Sequence, residues 1–213
     1  MKKIILIFDF DGTLADTFNL ILKISNQLAN EFKFHQIPPE DIHILKDRTL
    51  EEVIKHLQVP ILKIPLILAK ARREFYKEII TIKPFPELSN IIFQLKTFPI
   101  QMGILTTNST RNVHKFLKHN KLEIFDFIHS SSKIFGKDVT LKKIAKRKRL
   151  PLKQIYYIGD ETRDIAAAQK AGVKTIAVSW GYNSEKVLLK QQPDFLIKNP
   201  SELLKLLQTH INL

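Results

Sequence analysis

Cysteine is missing from all 213 positions, which excludes disulfides, thiolate metal sites and a cysteine nucleophile, and fits a reducing compartment. Glycine is scarce, at six residues beside ten prolines, and the chain holds no low-complexity stretch, internal repeat or flexible linker. Long apolar runs are absent as well. Met1-Lys2-Lys3 followed by Ile4-Ile5-Leu6-Ile7-Phe8 imitates a secretory leader, but Asp9 ends the apolar run after five residues, too few for a signal sequence or a membrane span. A soluble, cytoplasmic protein with no membrane partner is expected. The seven histidines, among them His35, His56, His114 and His119, show no metal-ligand spacing.

Positive charge is abundant: 34 Lys and Arg against 21 Asp and Glu, for a formal net charge of +13. The lysines are scattered rather than interleaved with aromatics, which reads as compositional bias and not as a nucleic-acid surface. The densest run, Lys142 to Arg149, carries Ile144 and Ala145 on one helical face and solvated charges on the other. No nucleic-acid partner is expected.

Hydrophobic residues make up 44% of the chain, enough for one mid-sized domain or a core with a modest insertion. Short runs rich in β-branched and aromatic residues at 4–8, 100–105, 155–158 and 174–178, with weaker ones near 125–129 and 195–197, predict buried strands. Helical spacing predicts helices over 87–97, 110–119, 138–149, 162–171 and 201–209. Strand alternating with helix implies an α/β fold, a three-layer Rossmann-like core around a parallel sheet. Residues 17–83 break the rhythm, with helical periodicity and no strand. They predict a small all-helical cap domain, the core being 1–16 and 84–213. Within it, Thr49-Leu50-Glu51-Glu52 is a capping box and Pro65 suits a first helical turn. Asp16 is the expected cap of the helix beginning near Phe18.

Ligands of an open parallel sheet bind beyond the carboxyl ends of its strands. There the chain places Asp9 and Asp11, then Thr106-Thr107-Asn108, then Lys137 after Gly136, then Asp160 and Asp164. Phosphoryl transfer needs an in-line nucleophile, cations to offset charge on the equatorial oxygens, and an acid for the leaving group. Asp9 is the candidate nucleophile and Asp11 the candidate acid and base. Thr106, Thr107, Asn108 and Lys137 are candidates for holding phosphate. Asp9, Asp160 and the backbone carbonyl of Asp11 offer oxygen ligands to Mg²⁺. Gly12 supplies turn freedom and Asp164 stands ready to orient Lys137 or a metal-bound water. Thr13 is expected to contribute backbone alone, Ser109 or Asn108 to cap the following helix, and Trp180-Gly181-Tyr182 to form a tight turn closing the core or, as the alternative, to border the active-site mouth. In the cap, Arg48 of the polar loop Lys46-Asp47-Arg48 is a candidate for binding a carboxylate or second phosphate on the leaving group.

The segments DFDGTLADT at 9–17, ILTTN at 104–108, GK at 136–137 and GDETRDIAAAQKAG at 159–172 resemble, in order and spacing, the four motifs of the haloacid dehalogenase superfamily. The helical insertion and the ending TIAVSWGYNS then QQPDFLIKNPSELL are similar to its phosphoglycolate phosphatase-like branch. The resemblance implies a Mg²⁺-dependent phosphatase acting through an aspartyl phosphate on a small phosphate ester, phosphoglycolate-like or a sugar phosphate. Asp11 favours phosphate over halide chemistry, since the dehalogenases of the superfamily lack that second aspartate. Phe10 and the short chain disfavour the transport ATPases. A phosphomutase of the β-phosphoglucomutase type, a pyrophosphatase, or a non-catalytic nucleic-acid-binding domain are the alternative readings. Oligomeric state, monomer or homodimer, is left undetermined.

Overall fold

In the computed structural model, residues 4–131 and 136–210 are described, so the basic tripeptide Met1-Lys2-Lys3 of the leader-like start lies outside the described residues. Six runs form strands: β1 (Ile4–Phe8), β2 (Ile100–Thr106), β3 (Phe127–Ser130), β4 (Ile155–Gly159), β5 (Lys174–Val178) and β6 (Phe195–Ile197). All five pairings are parallel, in the order β3-β2-β1-β4-β5-β6. Parallel strands need crossovers, and these put helices on both faces, which is why every residue of β1 is buried and why its run is uniformly apolar.

The helices of the core are α5 (Leu88–Leu95), α6 (Thr110–His119), α7 (Lys137–Lys148), α8 (Thr162–Ala171) and α9 (Glu185–Lys190), which lie on connections between strands, and α10 (Ser201–His210), which follows β6. Alternation along β1 sorts the two faces. Leu6 and Phe8 pack with Ile92 and Leu95 of α5, Val113 and Phe116 of α6, and Leu203 and Leu207 of α10. Ile5 and Ile7 pack with Leu141 and Ile144 of α7 and Ala168 and Ala171 of α8. Those are the three layers. The six-residue α9, capped by Ser184, is too short to announce itself by periodicity.

Between β1 and α5 the chain forms four helices: α1 (Phe18–Phe32), α2 (Ile42–Lys46), α3 (Leu50–His56) and α4 (Ile64–Glu78). The two long ones, α1 and α4, are joined at the surface by Lys23–Glu78, at 2.8 Å, and Lys70–Glu31. The capping box holds: Thr49 Oγ1 accepts from Glu52 N at 3.3 Å and Glu52 Oε2 accepts from Thr49 N at 2.7 Å. Pro65 sits in the first turn of α4. Asp16 does not cap α1. Thr17 precedes that helix and no side chain caps it. Asp16 instead spends its backbone N–H on the Lys83 carbonyl at 3.0 Å, with its carboxylate exposed. That bond, with Ala15 bridging Pro84 in antiparallel sense, lays the two cap-to-core crossings side by side. Among the described residues no helix is long and apolar enough to cross a membrane.

Candidate active site

The sheet order reverses between β1 and β4, so the chain leaves these two adjacent strands toward opposite sides and opens a crevice at their carboxyl ends. Asp9 and Asp160 follow those two strands directly. The Asp9 amide extends the ladder by donating to the Ile158 carbonyl at 2.8 Å, which fixes its backbone. Its Oδ1 accepts from Phe10 N at 2.8 Å and its Oδ2 meets Lys137 Nζ at 2.8 Å. Phe10 turns the other way, edge-on to Phe116 with ring centres 5.1 Å apart, and anchors the turn in the core.

Lys137 is buried at the first turn of α7, and its Nζ also donates to Asp164 Oδ1 at 2.7 Å. Asp164, on the first turn of α8, joins a reciprocal cap with Glu161, its Oδ2 accepting from Glu161 N at 3.2 Å. One carboxylate thus ties the helix end to the lysine. Burial alone would lower the Lys137 pKa, but Asp164 and Asp9 raise it above the ordinary lysine value. Burial likewise would raise Asp164, and Lys137 and Arg163 overcome it and hold this carboxyl low. For Asp9 burial wins over the attraction of Lys137 and pushes the carboxyl up to about 7.

Asp160 is fully buried beneath two tight backbone approaches. Its Oδ1 accepts from Thr13 Oγ1 and its Oδ2 from Tyr182 N, both at 2.7 Å. A Cβ added at Gly12, where φ is +76°, would lie 2.2 Å from Asp160 Oδ2, and one added at Gly181 would lie 2.3 Å from it. Only glycine lets both loops close on this carboxylate. Burial first, then repulsion from Glu161, Asp164 and Asp9, pushes Asp160 well above the usual carboxylate range.

Asp9, Asp160 and Asp164 each present an oxygen within 4.8 Å of the others. An all-carboxylate set of buried oxygens fits a hard divalent cation such as Mg²⁺ and suits a soft metal poorly. Around Lys137 and Arg163 gather the acids Asp9, Asp11, Asp160, Glu161 and Asp164. A bound divalent cation would offset that excess of negative charge. The Asp11 carboxylate is not one of the three that cluster, Asp9, Asp160 and Asp164. Both of its oxygens face Asn108 Nδ2, at 3.2 and 3.1 Å, across the crevice. Burial raises Asp11 to about 6, against the lowering hydrogen bonds of Asn108 and Thr17.

Thr106 ends β2, buried, with its Oγ1 accepting from Asn108 N at 2.9 Å. Asn108 Oδ1 accepts from Ser109 N and Asn112 Nδ2, both at 2.8 Å, so its side chain is committed to holding Asp11 and the loop. Ser109 caps α6, accepting from Asn112 N at 3.2 Å. The Thr107 carbonyl accepts from Arg72 of α4. Above the crevice a cavity of about 310 Å³ runs from Asp11 and Thr107 into the helical segment, where Arg48 forms part of its wall.

Several residues of this arrangement were not foreseen from sequence. Thr13 contributes its hydroxyl as well as its backbone, the latter accepting from Trp180 Nε1 at 3.1 Å. Trp180-Gly181-Tyr182 lies at the mouth, the second of its two expected placements, with Tyr182 lining the cavity; the bond from the Tyr182 amide to Asp160 was not expected from the sequence. Asn183 accepts from Thr162 N at 2.9 Å and donates to the carbonyls of Lys46 and Arg48, at 3.2 and 2.9 Å. A glycine between two aromatics just after a strand was the available signal.

A family model for haloacid dehalogenase-like hydrolases matches residues 6–178. The chain belongs to that family. Among curated relatives, it is 29% identical over 201 residues to a phosphoglycolate phosphatase of Synechococcus elongatus, covering 94% of this chain and 95% of that protein. It is 26% identical over 214 residues to the pyrophosphatase PpaX of Bacillus mycoides, covering 97% and 98%. A haloacid dehalogenase-like hydrolase family protein of Streptococcus pneumoniae shares the fold, with a TM-score of 0.79 at 22% identity over 96% of this chain and 98% of that one. The chain is an enzyme, a phosphatase of the haloacid dehalogenase-like family.

Proposed function

We propose that this phosphatase hydrolyses a small organic phosphomonoester with Mg²⁺, through an aspartyl phosphate on Asp9. The observation that carries the reading is the convergence of Asp9, Lys137, Asp160 and Asp164 at the switch point of the sheet. Asp9, Asp160 and the Asp11 carbonyl would hold the cation, with the Asp164 carboxylate beside it. Bound there, Mg²⁺ supplies positive charge to the transferring phosphoryl oxygens.

In the first step an Asp9 carboxylate oxygen attacks phosphorus, the bond from phosphorus to the ester oxygen breaks, and Asp11 gives a proton to the leaving alkoxide. In the second, water attacks the phosphoryl group and Asp11 takes its proton as the Asp9–phosphorus bond breaks, releasing phosphate. Thr106 already accepts from Asn108 N, so its hydroxyl proton is free for a phosphoryl oxygen. Lys137 supplies fixed positive charge beside Asp9. Asn108 positions Asp11. The core is assigned to 1–16 and 84–213 and the cap to 17–83.

The test is turnover of a panel of small phosphate esters and acetyl phosphate with Mg²⁺. Asp9→Asn is expected to lower kcat by about 10³-fold or more at an unchanged circular dichroism spectrum. Chelation by EDTA is expected to stop activity and Mg²⁺ to restore it. Retained turnover in Asp9→Asn would sink the mechanism.

A further inference from the structure

The cavity above Asp11 has an unusual balance of linings for an enzyme of small charged phosphates. Its wall is aliphatic and aromatic: Phe18, Leu22, Ile42, Leu45, Val53 and Leu68 all face it. These come from every helix of the cap, since α1 contributes Phe18 and Leu22, α2 contributes Ile42 and Leu45, α3 contributes Val53 and α4 contributes Leu68. The floor is the reaction centre itself, through Asp11, Thr107 and Arg163. A leaving group attached to a phosphoryl on Asp9 would therefore extend into an apolar chamber.

The cations that border the chamber are mostly engaged already. Arg163 is bound to Glu161 through Nε at 2.8 Å and again through Nη2. Lys46 donates to the Gly181 carbonyl at 3.3 Å and stacks over Phe18 at 4.6 Å. Arg48 is fixed by its backbone carbonyl to Asn183, while its guanidinium has no hydrogen-bond or ion-pair partner among the described residues. A short, doubly anionic leaving group would leave most of this wall in contact with water or nothing, and a polyhydroxylated sugar would set many of its hydroxyls against aliphatic side chains that cannot bond them, with polar lining residues such as Ser25, Tyr182 and Asn183 serving only some of them. Pockets of this size that are apolar with a few polar fixtures bind compact amphipathic molecules.

We infer that the preferred substrate is a phosphomonoester whose leaving group carries an apolar body, an aryl or medium-chain alkyl alcohol, seated against Leu22, Ile42, Leu45, Val53 and Leu68. This rests on the phosphomonoesterase reading above and narrows it. Arg48 stands at the chamber wall, where its guanidinium could donate to a polar substituent on such a body. About 310 Å³ accommodates a leaving group of one ring or a short chain.

The test compares phenyl phosphate and hexyl phosphate with phosphoglycolate, pyrophosphate, glucose 6-phosphate and acetyl phosphate at one saturating Mg²⁺ concentration. The expected result is a kcat/KM for phenyl or hexyl phosphate at least about tenfold above those for phosphoglycolate, pyrophosphate and glucose 6-phosphate. Val53→Thr keeps the volume while adding a hydroxyl, and Leu22→Asn puts a smaller, polar carboxamide on the opposite helix. Each is expected to raise KM for the apolar ester by about three- to tenfold, with acetyl phosphate turnover, whose leaving group is too small to reach the wall, within about twofold of the wild type. That last readout also shows that the variants fold. A preference for phosphoglycolate, pyrophosphate or the sugar phosphate, or variants that leave KM for the apolar ester unmoved, would overturn the inference while leaving the phosphatase mechanism standing. No turnover of any compound, acetyl phosphate included, would overturn the mechanism and the inference together.

Discussion

The floor of the site and its roof are built from opposite materials. Below, in the crevice of the sheet, buried carboxylates and Lys137 are locked to one another and to backbone amides, so that displacing one group strands its neighbours. Above, the cap offers half-buried aliphatic side chains around a cavity and meets the core through loop contacts and through α4, whose Arg72 and Tyr76 carbonyls accept from Asn112 and Lys115 of α6. The lowest layer of the cap is held by Asn183 on the Lys46 and Arg48 carbonyls, by Ser184 N on the Lys46 carbonyl at 2.9 Å, and by Ser184 and Lys186 on Asp47. The contrast suits an enzyme in which the reaction centre must be rigid to the ångström while the chamber admits and releases a leaving group.

The sharpest way to probe that contrast is Lys137→Met. It leaves Asp9 and Asp164 buried without their cation, and breaking a buried pair this way costs about 3–5 kcal/mol. Urea unfolding should register that loss together with inactivity; a loss under about 1 kcal/mol would mean that the floor tolerates unpaired charge. Next in size is Gly181→Ala, whose Cβ would lie 2.3 Å from Asp160 Oδ2 and 2.4 Å from the Gly12 carbonyl. Forced overpacking of this kind costs about 1–3 kcal/mol. The Mg²⁺ concentration for half-maximal activity should rise, and an unaltered Mg²⁺ titration would argue that Asp160 takes no part in metal binding.

A smaller effect is expected at the roof. Asn183→Ala removes two hydrogen bonds to the cap and one to the start of α8, each worth about 1 kcal/mol. It should raise KM several-fold more than it lowers kcat, measured with the best ester of the panel; equal losses in kcat and kcat/KM would place its role in the chemistry rather than in cap docking. The smallest belongs to the outer surface of the cap, where Lys23 and Glu78 pair at 2.8 Å with side chains 53% and 38% exposed. Lys23→Ala should change the melting temperature by the equivalent of at most about 0.5 kcal/mol and leave turnover alone.

The strands and the core helices other than α9 could be read to within about two residues, because burial on both faces of a parallel sheet imposes uniform apolar runs and the longer helices each carry an apolar stripe. Asp9, Asp11, Lys137, Asp160 and Asp164 could be nominated because strand ends in such a sheet share one edge. Asp16 was misjudged, since a helix-capping residue type says nothing of a competing backbone bond to Lys83 across the crossing. The commitment of Asn108 to Asp11 was hidden for a similar reason, as its partner lies 97 residues away.

Local pattern, then, settled the layer architecture, the helical nature of the insertion and the identity of the charged strand-end residues, for these depend on periodicity and on neighbours within a few positions. The tertiary structure alone decided which oxygen faces which nitrogen. It brought Thr13, Gly12, Gly181 and Tyr182 around Asp160, separated the Asp11 carboxylate from the metal-capable cluster, and gathered scattered cap leucines into one chamber. Those outcomes depend on close packing between segments far apart in the chain, where a shift of a single methyl decides whether a contact exists, and no local pattern encodes that distance.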